Sequence, residues 1–410
     1  MTDHAEMKEG QMQPPELPRD KEDGGARVLT GNRGRMIAII AILFSIFQIY
    51  ANGLATVQEI YRNAIHFTFL LVLSFFMFPA WKKSPKDRFS VMDWILAIGG
   101  LLGGLYIVLF YSEIHNVRGS QGILQDYVFA VLAIVLTIEA ARRTIGWLVP
   151  LLSILALVYA LYGPYFPGMF GHAGFSLERL LFRMYMTTEG IFGETLAISS
   201  TYIFLFILFG AFLKKSGAAE LFNDLALAIA GKRRGGPAQV AVLSSAMMGT
   251  LSGSAVANVA TTGAFTIPLM KKIGYKPHFA GAVEAAASTG GMITPPIMGA
   301  AAFIMAGFLG VPFSTIILAA IIPAILYYVG IIIMVDIEAK RLGLKGLDAS
   351  TLPNVWSVIK KRGILLLPII VIVWTLLDGK TPLYAGFAGI ITTIVASWFN
   401  KETRIGIKEF

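Results

Sequence analysis

Apolar residues in this chain come in long unbroken blocks, not in alternation. They run Met36–Val57, Ile65–Ala80, Trp94–Tyr111, Tyr127–Ala141, Thr144–Tyr162 and Leu196–Leu213, and later Ser314–Val335, Gly363–Leu377 and Leu383–Phe399. A helix crossing a hydrocarbon core of ~30 Å needs roughly 17–25 predominantly apolar residues, and most of these blocks are long enough. Only helices and closed barrels satisfy the backbone in lipid, and a barrel would show period-2 alternation. The pattern therefore predicts an all-α polytopic membrane protein. Two further blocks, Ala238–Met270 and Phe279–Leu309, are interrupted.

Ahead of Met36 lie Glu, Asp, Lys, Gln, Pro14-Pro15 and Gly24-Gly25, with no long apolar stretch. Residues 1–35 read as a disordered cytoplasmic tail and not as a cleaved signal peptide.

Charge gives the topology. If the N-terminus is inside and each uninterrupted block crosses once, only Arg62, Arg118, Arg179, Arg183 and Lys380 of the 34 Lys and Arg fall outside. The other 29 mark the cytoplasmic side, and the C-terminus falls there too. This distribution requires Ala238–Met270 to begin and end on the same side, between Lys232-Arg233-Arg234 and Lys271-Lys272. Its first arm, residues 238–251, would be roughly 21 Å of helix and too short to span. The middle, Gly249-Thr-Leu-Ser-Gly-Ser254, is helix-breaking and rich in hydroxyls. A re-entrant hairpin over 238–270 follows, giving about ten transmembrane helices plus one hairpin. The second interrupted block, 279–309, reads as a broken helix. A half-helix Phe279–Ala287 gives way to Ser288-Thr-Gly-Gly-Met-Ile-Thr-Pro-Pro296 before Ile297–Leu309 resumes.

Composition agrees: 56% hydrophobic, 14% charged and a mean hydropathy of +0.68. Soluble domains carry roughly 25% charged residues, so a multidomain soluble enzyme is excluded. The net +9 is the topological bias just described, not a nucleic-acid signal. There are no cysteines, which removes thiolate chemistry and Cys-ligated metals. No Gly-x-x-x-x-Gly-Lys-Ser/Thr occurs, so nothing points to an ATP-driven pump.

Broken helices at membrane depth present N–H groups to anions and free carbonyls and hydroxyls to cations. On the hairpin the oxygen-bearing or close-approach positions are Ser252, Gly253, Ser254, Asn258, Thr261 and Thr262; on the broken helix they are Ser288, Thr289, Gly290, Gly291, Thr294 and Pro295. Hard cations prefer such oxygens, and Ser254, Asn258, Gly290 and Thr294 are candidate sodium ligands. The competing reading is that small residues simply let helices pack. Two interrupted elements in succession favour a substrate and ion site.

Glu284 lies in the broken helix, two turns from Lys276. Pairing with that lysine and a coupling role are both open. Glu139 with Arg142, and Asp336 with Lys340, read as ion pairs at helix ends. Gly99/Gly103 and Gly100/Gly104 read as close-packing positions, and Trp94, Trp147, Trp356, Trp374 and Trp398 as interfacial anchors. Phe175–Met186 carries a helical stripe at 177, 180, 181 and 184. It would rest in the outer interface or dock a binding protein.

Gly249-Thr-Leu-Ser-Gly-Ser-Ala-Val-Ala-Asn-Val-Ala-Thr-Thr-Gly263, Thr266-Ile-Pro-Leu-Met270 and Gly290-Gly-Met-Ile-Thr-Pro-Pro296 resemble tripartite ATP-independent periplasmic (TRAP) transporter permeases. The likeness is to the fused type paired with TAXI binding proteins. Thr188-Glu-Gly-Ile-Phe-Gly193 and Leu213-Lys-Lys-Ser-Gly217 fit the same pattern. The resemblance covers residues 144–410, with 36–143 similar in hydropathy and order to a fused small subunit. It divides the rest into linking and scaffold helices over 144–235, a transport element over 236–312 and further membrane helices over 313–410.

The resemblance implies an elevator-type secondary transporter of two inverted repeats in the inner membrane of a bacterium or archaeon. It would import a small organic anion by sodium or proton symport, delivered by an extracytoplasmic solute-binding protein. No other cofactor is implied, and the partners are that protein, the organic acid and membrane lipid. No second hairpin or Gly/Pro-broken helix is legible between Gly363 and Phe410. The expectation is a first repeat alone, a fragment or a chain needing a second-repeat polypeptide. The rival function is a non-transporting membrane scaffold or partner-binding module. A membrane enzyme ranks third, for want of a catalytic constellation.

Overall fold

The structure is a computed structural model and describes residues 26–81, 84–119, 121–399 and 403–405. Among the described residues, seven helical segments are long and apolar enough to cross a membrane: Gly31–Leu54, Glu59–Met77, Val91–Val117, Leu124–Ile145, Leu148–Tyr165, Glu194–Lys215 and Phe313–Arg341. Among the described residues no strand occurs, and the chain is an all-helical polytopic membrane protein. The last two predicted spans are shorter helices, Leu367–Leu377 (after a 3-10 turn, Gly363–Leu366) and Pro382–Ser397, packed against each other.

The first unit comprises α1 (Gly31–Ile49), α2 (Glu59–Met77), α3 (Val91–Ser112), α4 (Leu124–Ile145), α5 (Leu148–Tyr162) and α6 (Leu177–Tyr185). Residues 1–25 of the predicted tail lie outside the described residues. Residues 26–35 depart from the expected disorder: Arg27 is buried against Asp93, and α1 begins at Gly31. Helix α3 starts where it does because Ser90 and Asp93 form a reciprocal capping box. Gly99, Gly100 and Gly104 pack closely as predicted, whereas a Cβ on Gly103 would meet nothing within 4 Å. A methyl on Gly100 would press on Leu71 of α2, and one on Gly104 on Thr68 and the Ala64 carbonyl. The Gly103 carbonyl accepts from the Tyr185 hydroxyl, 2.5 Å away.

Helix α6 therefore does more than rest on a surface. Leu181 and Tyr185 are buried, while Leu177 at the start of the predicted stripe is exposed. Helix α5 is the reverse case, with nearly all its apolar side chains outward and only Pro150 buried.

Two ionic clusters cap opposite ends of the α3–α4 pair. Asp93 meets Arg27 at 2.7 Å and Arg143 at 2.6 Å, and Glu139 holds Arg142 and Arg143. At the other end Asp126 takes Arg118 at 2.6 Å and the Tyr106 hydroxyl at 2.5 Å. The predicted Glu139–Arg142 pair is present at 2.7 Å as part of the first cluster.

The second unit begins with a span that runs α7 (Glu194–Ile198), a π-helical turn (Ser199–Ile203) and α8 (Phe204–Lys215). The widened turn gives its polar groups to the first unit. His66 reaches Ser199, the Asn52 amide donates to the Ser200 carbonyl at 2.8 Å, and Ser200 donates to Asn63 at 2.7 Å. Buried polar groups must be hydrogen-bonded, so this network fixes α1 and α2 against α7–α8.

Helix α9 (Ala218–Ala230) then leads to α10 (Gly236–Ser252), α11 (Ala255–Lys272), α12 (Pro277–Gly290) and α13 (Ala300–Leu309). These are followed by α14 (Phe313–Arg341), α15 (Val355–Arg362), α16 (Leu367–Leu377) and α17 (Pro382–Ser397). Leu205, Phe209, Leu213, Leu221, Leu365 and Ile372 form one core, and Ala238, Ala241, Val242, Met270, Ala280 and Ala287 a second around α10–α12 and α14. The second core consists largely of small residues, which lets helices approach closely.

Candidate functional site

The hairpin exists as two packed antiparallel helices. Helix α10 ends at Ser252, Gly253 takes φ +58°, and Ser254 caps α11 by accepting from the Ala257 amide at 3.3 Å. Gly253 is required there twice over. Its backbone is left-handed, and a Cβ would lie 2.3 Å from the Met298 carbonyl oxygen. The arms are tied below the tip, where buried Asn258 donates to the Ser245 carbonyl at 2.8 Å. Its Oδ1 is buried with no hydrogen-bond partner among the described residues.

The broken helix is broken later than predicted. Helix α12 continues through Ser288 and Thr289 to Gly290, then tightens into a 3-10 turn over Gly291–Ile293. Glycines do not oblige a helix to stop; the prolines at 295 and 296 do. The non-helical segment runs to Gly299. The Thr294 hydroxyl donates to the Gly290 carbonyl at 2.6 Å, and the Gly299 amide to the Met292 carbonyl at 2.7 Å. Met298 sits at φ +62°, a conformation costly for a side chain with a Cβ. Tyr327 and Tyr328 of α14 donate to the Ala286 and Ala287 carbonyls at 2.8 and 3.0 Å, satisfying acceptors near the end of α12.

Hairpin and broken helix meet at two places. Near the tip Gly253 lies against Met298 and Gly299, and one step deeper Gly249 lies against Gly291 backbone to backbone. Below this, Glu284 is fully buried. Ser245 of the first arm donates to its Oε1 at 2.8 Å, Thr262 of the second arm to Oε1 at 2.5 Å, and Thr266 to Oε2 at 2.5 Å. Ser288 of its own helix donates to Oε1 at 3.1 Å. Three helices thus converge on one carboxyl.

A cavity of about 490 Å3 opens on the tip, lined by Ser252, Gly253, Ser254, Thr261 and Lys214 with apolar residues of α8 and α13. Lys214 donates to the Thr261 hydroxyl at 3.1 Å.

The predicted residues fall into distinct settings. Ser252, Gly253 and Ser254 line the cavity; Asn258 and Thr262 are buried on the hairpin's inner side; Gly291 packs on Gly249. Gly290 lies beneath Tyr327 and Tyr328, leaving no room for a Cβ. Thr289 is exposed and bonds its own helix at the Ala285 carbonyl. Of the four sodium candidates, the Gly290 carbonyl already takes the Thr294 hydroxyl and Ser254 Oγ takes an amide; Asn258 Oδ1 is unpartnered.

One open alternative and one expected pair resolve differently. Glu284 is bonded to hydroxyls and not to Lys276, because it points into the hairpin. Asp336 pairs with Arg234, 2.5 Å away across the turn before α10, rather than with Lys340 on its own helix. From the sequence, Lys214 is a cytoplasmic flank within the Leu213–Gly217 motif and not a site residue. Ser245 and Thr266 are not among the predicted site residues, although Thr262 and Thr266 share one helix face four residues apart.

A re-entrant-type hairpin seated on a broken helix, within a bundle of membrane-length helices, is an arrangement found in membrane transport proteins. The family model for the tripartite ATP-independent periplasmic transporter, DctM component, matches residues 132–410; the chain belongs to this TRAP large-permease family. A Haemophilus influenzae protein named for the same class is 33% identical over 196 residues, 47% of this chain and 45% of its own. The 2,3-diketo-L-gulonate TRAP transporter large permease protein YiaN of Escherichia coli is 29% identical over 231 residues, 54% of each chain. The C4-dicarboxylate TRAP transporter large permease protein DctM of Pseudomonas aeruginosa is 28% identical over 203 residues, 49% of this chain and 47% of its own. The chain spans about half the length of the curated relatives it matches.

Proposed function

We propose that this chain is a permease component importing a small organic anion across the cytoplasmic membrane, driven by a cation gradient and fed by an extracytoplasmic solute-binding protein. The observation that carries this reading is the cavity at the hairpin tip. It joins the hydroxyls of Ser252, Ser254 and Thr261 to the Lys214 ammonium, in a wall otherwise apolar. A carboxylate finds there a cation and hydroxyl donors, with apolar surface for its carbon skeleton. Two of the relatives are named for carboxylate-bearing solutes, 2,3-diketo-L-gulonate and C4-dicarboxylates, which fits the same chemistry.

For the coupling cation, Asn258 Oδ1 and the backbone around Gly290–Thr294 supply oxygen ligands, the preference of sodium. Residues 36–143 take the place of the small permease subunit, bonded to the larger unit through His66, Asn52 and Asn63. The basic distribution supports a multi-pass protein of the inner membrane of a bacterium or archaeon with both termini cytoplasmic. The test is uptake of radiolabelled succinate or 2,3-diketo-L-gulonate into proteoliposomes holding the permease and its solute-binding protein. Accumulation that collapses when cation gradients are dissipated is expected. Accumulation that survives their loss would overturn the coupling.

A further inference from the structure

Away from the hairpin, a second cavity of about 390 Å3 opens on the outside of the first unit. Helices α1 and α3 both pack on α2, and the cavity is a groove between them with α2 as its floor. It follows α3 from Trp94 to Leu105 and, antiparallel to this, α2 from Phe76 back to Ile65, with Ile40 on the α1 side. Its wall is apolar throughout, and even Thr68 turns its hydroxyl to the Ala64 carbonyl, 2.9 Å away. Beyond Ile40 the α1 side is closed by Phe44, whose ring stacks on Phe69 at 5.0 Å.

The stretches from Trp94 to Leu105 and from Ile65 to Phe76 are each roughly 16 Å of helix at ~1.5 Å per residue. Half of a ~30 Å hydrocarbon core is about 15 Å. The groove therefore begins at one membrane interface and ends near the midplane, the depth of a single leaflet. A further transmembrane helix would need a seat about twice as long, whereas one acyl chain needs this one. Trp94 marks the interfacial end, where it packs on Phe76 at 4.9 Å and its indole N–H has no acceptor among the described residues.

That end is also basic. Arg33 stands two turns before Ile40 on the same face of α1. Its guanidinium donates to the Asp87 carbonyl at 2.9 Å, reaching across from α1 to the loop that leads into α3. The loop carries Lys86 and Arg88, both exposed like Arg33, with Asp87 the one acid between them. A topological bias asks only that basic residues lie on one side of the membrane. Here they frame the mouth of an apolar groove, and basic pockets between membrane helices suit anionic headgroups.

We propose that this groove binds one anionic phospholipid from the leaflet on the basic side. One acyl chain lies along α2 between Phe76 and Ile65, the headgroup phosphate meets Arg33 and Arg88, and the Trp94 N–H donates to a glycerol-ester carbonyl. Lipid tails already sit in hydrocarbon, so the chain gains close packing and not removal from water. The headgroup therefore decides which lipid is held, through its charge. A seated chain fills the space between α1 and α3. The site lies on the wall of the first unit and is independent of the transport reading above.

The test reconstitutes the full chain in nanodiscs of equal parts dioleoyl-phosphatidylglycerol and dioleoyl-phosphatidylcholine. Native mass spectrometry, with activation set to strip bulk lipid, then counts what stays bound. Wild type should retain one lipid, phosphatidylglycerol several-fold more often than phosphatidylcholine. Leu101→Trp, which fills the groove from an exposed position, should lose it, while Leu155→Trp at an exposed position on α5 should keep it. The double variant Arg33→Gln, Arg88→Gln should still retain a lipid and bring the two headgroups to parity. Retention in Leu101→Trp equal to wild type overturns the groove as the site. Headgroup parity in wild type, or an undiminished preference in the double variant, overturns the anionic selectivity these arginines are assigned. A lipid-free wild-type dimer that Leu101→Trp converts to monomer overturns the proposal by placing a second copy of the chain in the groove. Matching melting temperatures for the variants and wild type in detergent confirm that the comparisons are made on folded protein.

Discussion

A methyl group on Gly249 would sit 2.5 Å from the Cα of Gly291. The hairpin and the broken helix touch there through bare backbone, so the fit between them depends on two absent side chains. Gly249→Ala should force these elements apart, with an overpacking cost of about 1–3 kcal/mol. Gly281→Ala, on the same broken helix with nothing within 4 Å, should be neutral or slightly stabilising. Thermal unfolding in detergent checks both, and equal melting temperatures for the two variants would count against the tight contact.

Asp93 holds two buried arginines, so neutralising it leaves two cations facing one amide. Asp93→Asn should lose about 3 kcal/mol, the size of effect seen when one member of a buried ionic cluster is removed. Destabilisation of Arg234→Gln at the exposed Asp336 pair should stay under about 1 kcal/mol. A thermal melt in which the two behave alike would refute this ranking.

Lys214 places a positive charge on the cavity at the hairpin tip. Lys214→Gln keeps a hydrogen-bond donor for Thr261 and removes the charge. The expected result is uptake of succinate or 2,3-diketo-L-gulonate reduced at least tenfold, through a raised half-saturation concentration, with an unchanged melting temperature. Unaltered uptake would remove Lys214 from the site.

Asn258 offers a buried oxygen with no partner. If sodium uses it, the ion at about a hundred times its dissociation constant stabilises the fold by roughly 2.7 kcal/mol. Sodium chloride should therefore raise the melting temperature of wild type above that in choline chloride, and Asn258→Ala should lose the difference. The same sodium shift in the variant would exclude Asn258 as a ligand.

The membrane-spanning blocks were legible because lipid demands long apolar runs. Their boundaries were less so. Helix α2 begins at Glu59, not Ile65, because Arg62 and Asn63 are polar residues turned inward onto Ser200 and its neighbours. The hairpin was legible from the basic residues flanking it and the glycines and serines at its tip. The end of α12 was missed, since Gly290 and Gly291 look like breakers but pack as the last residues of a helical turn. The hydroxyl cage was only half visible. Glu284 and Ser288 share a helix face, but Ser245, Thr262 and Thr266 arrive from the folding-back of the hairpin. Likewise Lys214 and Thr261 are 47 residues apart and meet only once α8 is packed against the hairpin's first arm, α10.

The most direct measurement of the transport site uses the chain's lack of native cysteine. Ser254→Cys places a single thiol at the cavity edge, where Ser254 is exposed. Its rate of labelling by a water-soluble maleimide is measured in reconstituted permease, with and without succinate or 2,3-diketo-L-gulonate. The account predicts that whichever of these solutes is transported slows labelling several-fold, and that removing the coupling cation abolishes the protection. A labelling rate unchanged by a solute that the same proteoliposomes accumulate would contradict the placement of the site at the hairpin tip.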